Sequence, residues 1–159
     1  MDILHDKDAD VSVLNGKTVA VIGYGAQGRA QALCMRDSGV HVIIGIRPGK
    51  SWDAATQDGF EVMTVAEAAK AADIIHILLP DEKHGEVYAN EIKPGLVAGN
   101  ALCCSHGFAY VFNTIVPPAD VDVIMVAPKG PGTEVRRVFE EGFGCPGLIA
   151  VHQNPTGKA

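Results

Sequence analysis

Two residues of this 159-residue chain stand out for proton and charge handling: His106 in the run Ser105-His106-Gly107-Phe108, and Lys129 in Pro128-Lys129-Gly130-Pro131-Gly132-Thr133. An imidazole exchanges a proton near neutral pH, and a lysine ammonium offers a cation to a carboxylate or a phosphate. A third run, Pro80-Asp81-Glu82-Lys83-His84, adds two acids, a cation and a second imidazole. Each run follows an apolar, strand-like stretch, and ligands of open parallel sheets bind beyond the carboxyl ends of the strands. His106 and Lys129 are therefore the candidate catalytic residues, in surroundings suited to proton transfer beside a hydride acceptor. His76 lies inside an apolar run and reads as a satisfied core residue, while His5 and His41 read as surface positions. Glu134, Glu140 and Glu141 read as the solvated face and ends of one helix, and no metal-ligand set emerges.

The element that must position this chemistry is the stretch over residues 18–38, TVAVIGYGAQGRAQALCMRDS. It reads as a buried strand over 18–22, a turn carrying Gly23, Gly25 and Gly28, and a helix that opens within the turn. Glycines at this spacing meet three steric demands: a tight strand-to-helix turn, backbone approach to a pyrophosphate, and close helix–strand contact. The free amides of the new helix add donors and partial positive charge, so the turn reads as an anion seat for a dinucleotide.

Strand and helix then alternate. Strands are expected over 40–46, 61–63, 73–79, 96–103, 121–127 and 148–152. Helices are expected over 51–58, from a Thr64/Glu67 capping box to 71, and over 82–91, 108–115 and 133–141. The run DIIHILL at 73–79 is nearly all apolar, as a central strand covered on both faces must be. Short connections between alternating elements specify an α/β fold, a doubly wound parallel sheet of the Rossmann type with helices on both faces. Residues 1–16 read as an N-terminal arm, 17–153 as the nucleotide-binding domain, and 154–159 as a linker toward something absent.

In this fold the loop after the second strand meets the adenosine ribose, and NAD binders place an acid there. Here the loop carries Arg47, Lys50 and Ser51 and no carboxylate before Asp53, which suits a 2′-phosphate. The expected cofactor is NADP(H). A formal charge of -6 argues against nucleic acid as a partner, and no apolar run approaches the roughly 20 residues that cross a bilayer. Four cysteines without a CxxC pair, and no signal peptide, fit a reduced, cytoplasmic setting.

Together the runs GYGAQG (23–28), RPGKSW (47–52), LLPDEKH (78–84), SHGF (105–108), APKGPGTEVR (127–136) and EEGFGCPGLIAVHQ (140–153) resemble ketol-acid reductoisomerase, also called acetohydroxy acid isomeroreductase. The resemblance covers nearly the whole chain in order. It implies an enzyme of valine, leucine and isoleucine synthesis that isomerises 2-acetolactate or 2-aceto-2-hydroxybutyrate with Mg2+, then reduces the product with NADPH to a 2,3-dihydroxy acid. It also implies that Tyr24, Gly25, Ala26 and Gln27, within the turn that Gly23 and Gly28 bound, line the pyrophosphate and that Arg47 and Ser51 take the 2′-phosphate. Asp81, Glu82, Lys83 and His84 would lie along the cofactor, Gly132 would approach it by its backbone, and His106 matches the family's active-site histidine. The loop before Trp52 is of the family's shorter kind, Asn154 stands where an acid is often found, and Cys103-Cys104 replace commoner small apolar residues. A second, helical domain holds two Mg2+ in this family, and this chain offers no ligands for them. A stand-alone NADP(H)-binding module without catalysis is the alternative. Apolar surface meant for the second domain would favour a homo-oligomer.

Overall fold

A computed structural model describes residues 3–159. Its elements are β1 (Thr18–Ile22), α1 (Ala26–Asp37), β2 (His41–Gly45), α2 (Lys50–Gln57), β3 (Glu61–Met63), α3 (Val65–Ala71), β4 (Ile74–Ile77), α4 (Asp81–Val87), β5 (Ala101–Cys104), α5 (Phe108–Val111), β6 (Asp122–Pro128), α6 (Gly132–Glu140) and β7 (Gly147–Gln153). All seven strands form one sheet in the order β3-β2-β1-β4-β5-β6-β7. Strand order reverses between β1 and β4, which opens a crevice at the carboxyl ends of these two strands.

Alternate residues of β1 feed two cores. Ala20 and Ile22 pack with Ile43, Val65, Ala68, Ile75 and Leu102 on one face. Val19 and Val21 pack with Leu33, Val40, Ile44 and Phe60 on the other, beneath α1 and α2. Burial on both faces is what makes these strands continuously apolar. The capping box forms as expected: Thr64 N donates to Glu67 Oε2 at 3.0 Å, and Glu67 N donates to Thr64 Oγ1 at 3.3 Å.

The structure corrects the expected parallel sheet at one edge, because β7 pairs antiparallel with β6. Gly132 explains why. A Cβ there would overlap the carbonyl of Ala26, so α6 lies with its backbone pressed against the start of α1. Arg136 Nη2 then donates to Asp37 Oδ2 at 2.7 Å near the other end of α1. After α6, the chain doubles back until Lys129 N donates to Pro146 O at 2.7 Å. β7 thus begins beside the end of β6 and can only run the opposite way.

Other boundaries move for local reasons. β5 starts at Ala101 rather than near 96, since Gly99 adopts a left-handed φ of 87° and Val97 N donates to Asn100 Oδ1 at 2.8 Å. The helix after Pro80 starts at Asp81 and loosens into a π-type turn over Tyr88–Ile92. α5 ends at Val111 because Asn113 turns left-handed at φ 56°. The N-terminal arm holds 3-10 turns at Asp6–Asp8 and Val11–Leu14, its first two residues lying outside those described. Residues 154–159 are tied to the sheet, with Thr156 donating from N (3.2 Å) and Oγ1 (2.5 Å) to the buried carboxylate of Asp122. α5 and β7 adjoin through the rings of Tyr110 and His152, and they leave Val111, Phe112, Ile149 and Val151 exposed.

Substituting Gly132→Ala forces α6 off α1. Urea unfolding of this variant is expected to show a loss of about 1–3 kcal/mol, the range for overpacking a close contact; an unchanged midpoint would mean that the helices do not meet through this residue.

Candidate functional site

The three motif glycines have three different surroundings. Gly23 holds φ 103°, and a Cβ there would lie 2.6 Å from Leu78 O. Gly28 would drive a Cβ into the carbonyl of Gly23, so it permits the helix–turn contact. A Cβ on Gly25, by contrast, would meet no protein atom within 4 Å. Gly25 faces the open crevice at the N-terminus of α1, where unpaired helix amides accept an anion. A dinucleotide pyrophosphate fits this cradle.

The crevice extends both ways from the turn. One arm, about 660 Å³, is lined by Gly23, Tyr24, Arg47, Lys50, Ser51, Glu82 and Lys83 among others. The other, about 350 Å³, is lined by Gly25, Ala26, Gln27, Asp81, His84 and His106. Leu79 and Pro80 border both arms, which makes them one cleft. Among the predicted residues, only Gly28, Lys129 and Gly132 stand off its wall. Gly28 and Gly132 are buried, and Lys129 is exposed on the adjoining loop. A Cβ on Gly132 would meet Ala26 at the start of α1.

Charge is distributed unevenly along the cleft. Arg29, Arg36, Arg136 and Arg137 all pair with carboxylates. Arg47 alone of the five arginines has no carboxylate partner among the described residues, and neither does Lys50 beside it. Both sit with Ser51 at the start of α2, on the wall of the larger arm. An unpaired guanidinium, an ammonium and a hydroxyl at a helix terminus make a strong phosphate site.

Tyr24 is 6% exposed, and its hydroxyl donates to Asp58 Oδ2 at 2.7 Å. Burial raises its phenol pKa above the usual range, and the Asp58 carboxylate adds to the shift. Asp58 also accepts from Arg29 Nε at 2.7 Å and Nη2 at 2.9 Å. That guanidinium holds the Asp58 carboxyl below its ordinary value. Asp58 caps α2, so one carboxylate ties the glycine turn to the helix that carries the cations. Sequence reading missed it, because an acid at a helix end looks like any solvated residue.

At the other arm, His106 Nδ1 accepts from Phe108 N at 3.3 Å and lies 3.6 Å from Asp81 Oδ2. A neutral ring accepting at Nδ1 carries its proton on Nε2. His84 Nε2 donates to Leu79 O at 2.8 Å, and Gln27 Nε2 donates to Gly130 O at 2.8 Å, next to Lys129. His76 is a core residue as expected, 5% exposed, with Nε2 3.3 Å from Ser105 Oγ. Cys103 and Cys104 are buried, and burial pushes the Cys103 thiol up to about 12, which leaves it no nucleophile at neutral pH. Cys34 and Cys145 are partly exposed. No group of three His, Cys, Asp or Glu side chains converges as a metal site among the described residues. No helix is long and apolar enough to cross a membrane among the described residues.

The fold and cleft define a dinucleotide-binding domain of the oxidoreductase type. Residues 13–159 match the model of the acetohydroxy acid isomeroreductase NADPH-binding domain, and the chain belongs to that family. It is 86% identical, over its whole length, to the ketol-acid reductoisomerase (NADP(+)) of Akkermansia muciniphila, of which it covers 49%. It is also 59% identical over its whole length to the ketol-acid reductoisomerase (NAD(+)) of the uncultured archaeon GZfos26G2, covering 50% of that protein. The solved structure of an NADH-preferring ketol-acid reductoisomerase from an uncultured archaean superposes on the whole chain with a TM-score of 0.97, at 59% identity and over 50% of its own length. The chain thus spans about half the length of the curated relatives it matches.

His76 gives the site a pH signature. Burial lowers its pKa to about 4. The unfolded ring titrates near 6.5, so unfolding takes up a proton between these values. Its contribution to stability is complete above pH 6.5 and declines as the pH falls toward 4, by at most about 1.4 kcal/mol per pH unit. His76→Gln should remove that slope in unfolding titrations. In NMR the wild-type ring should stay neutral from pH 8 to 5; a midpoint near 6.5 would contradict its burial.

Proposed function

We propose that this chain is the NADPH-binding part of a ketol-acid reductoisomerase that converts 2-acetolactate or 2-aceto-2-hydroxybutyrate to 2,3-dihydroxy acids in branched-chain amino-acid synthesis, in the cytoplasm. The observation that carries this reading is one cleft with an unpaired phosphate-binding set (Arg47, Lys50 and Ser51) at one end and His106 at the other.

Gly25 and the first amides of α1 hold the pyrophosphate, flanked by Tyr24, Ala26 and Gln27. Gly28 supports the turn from beneath. Arg47 and Ser51 hold the 2′-phosphate. Glu82 suits a ribose hydroxyl with Lys83 beside it in the larger arm, and Asp81 and His84 border the nicotinamide half. NADPH supplies the hydride that reduces the keto carbon. His106 offers its Nε2 proton to the substrate oxygen, and Lys129 neutralises the substrate carboxylate. Mg2+ supplies Lewis-acid chemistry for the alkyl shift. This chain's residues do not fit a Mg2+ site, so we assign the ligands to the half of the relatives' length that the chain does not cover. That half, a helical domain, is the partner suited to the exposed apolar surface of α5 and β7, and the same surface supports a homo-oligomer when left uncovered. Relatives bear the names of both cofactors, so the preference is read from the loop itself.

Calorimetric titration tests the reading. The chain should bind NADPH more tightly than NADH. Arg47→Ala and Ser51→Ala should each weaken NADPH about 10- to 100-fold, the worth of a charge-assisted hydrogen bond or two, and leave NADH within about threefold. A clear NADH preference in the unaltered chain would overturn the assignment.

A further inference from the structure

Between the His106 and Lys129 loops lies a buried polar side chain that the cofactor site does not use. Gln31, on the second turn of α1, is 8% exposed. Its Nε2 donates to Gln27 Oε1 at 3.0 Å and to Ser105 Oγ at 3.1 Å, which spends both amide hydrogens.

Each partner leads to one loop. Gln27 passes on through its own Nε2 to Gly130 O at 2.8 Å, next to Lys129. Ser105, next to His106, donates its only hydroxyl proton to Val126 O at 2.7 Å. Its oxygen can therefore only accept, from Gln31 and from His76 Nε2 at 3.3 Å, which makes His76 the Nε2–H tautomer. Every bond direction in the chain Gly130–Gln27–Gln31–Ser105–Val126 is thereby determined, with no alternative arrangement of protons. A polar network whose bond directions are all set favours one geometry.

We propose that Gln31 is a positioning residue that sets the separation of the His106 and Lys129 loops about the glycine turn. This rests on the catalytic reading of His106 and Lys129. Reacting groups must be held within a fraction of an ångström, and loops need support from a rigid element to achieve it. α1 is that element: Gln31 bonds Ser105 directly, and its bond to Gln27 Oε1 orients the α1 side chain whose amide donates to Gly130.

Amide hydrogen exchange of the 159-residue chain tests this. In Gln31→Leu, which fills the volume without donating, residues 105–108 and 129–132 should both exchange about tenfold faster or more. Strands β1 to β3 should keep their rates, and NADPH affinity should stay within about threefold. Gln31→Glu, similar in size but without the N–H pair, should behave like Gln31→Leu. Ser105→Ala should free residues 105–108 only, because the Gln31–Gln27–Gly130 branch survives. Faster exchange in one loop alone in Gln31→Leu, a uniform increase over the chain, unchanged rates, or a larger loss of NADPH affinity would each overturn the proposal. Failure of the unaltered chain to bind NADPH would instead sink the cofactor reading, and the exchange result would still stand or fall by itself.

Discussion

The structure depends on backbone meeting backbone around the first turn of α1. Gly28 lies on the carbonyl of Gly23, Gly23 on the carbonyl of Leu78, and Gly132 on the carbonyl of Ala26. A methyl group at any of the three would separate the elements. With no side chains between them, β1, the residue after β4 and the start of α6 close on the helix terminus from three sides. The fourth side, at Gly25, stays open. A helix N-terminus has thus been built into the core with one face left open. The antiparallel β7 is a further consequence, since α6 is held against α1 and the chain must return along it.

A helix terminus by itself is a weak anchor. It contributes about 0.3–1 kcal/mol, whereas micromolar affinity needs about 8 kcal/mol. The remainder has to come from contacts along the cleft, and the charge pattern shows where. Four arginines are neutralised within the protein, and Arg47 has no carboxylate partner among the described residues. Asp58 joins this end to the glycine turn through Tyr24 and Arg29, and Gln31 joins the other end through Ser105 and Gln27. The two arms are held by separate polar devices, both anchored on α1 or the turn before it.

Much of the fold was legible in the sequence because buried parallel strands leave continuous apolar runs, and those at 18–22 and 73–79 are found as strands at Thr18–Ile22 and Ile74–Ile77. Direction is not written in such runs, so β7 was misread: its antiparallel course follows from how α6 packs, a contact between residues more than a hundred positions apart. Left-handed Gly99 delays the start of β5 and left-handed Asn113 follows the end of α5, both elements that apolar content alone extended. On the cleft wall, Gly23, Gly25, Arg47, Ser51 and His106 could be picked out in the sequence by their local spacing after a strand. Gln31 and Asp58 could not. A glutamine among alanines on a helix is ordinary in sequence, and only the return of Ser105 and Gln27 to its amide gives it a role.

A crystal structure of this chain grown with NADPH tests the central claim most directly. The account predicts the pyrophosphate over Gly25 at the N-terminus of α1, the 2′-phosphate within hydrogen-bond distance of Arg47 and Ser51, and the nicotinamide in the arm bordered by His106. A 2′-phosphate turned away from Arg47 into solvent, or a nicotinamide outside that arm, would contradict it.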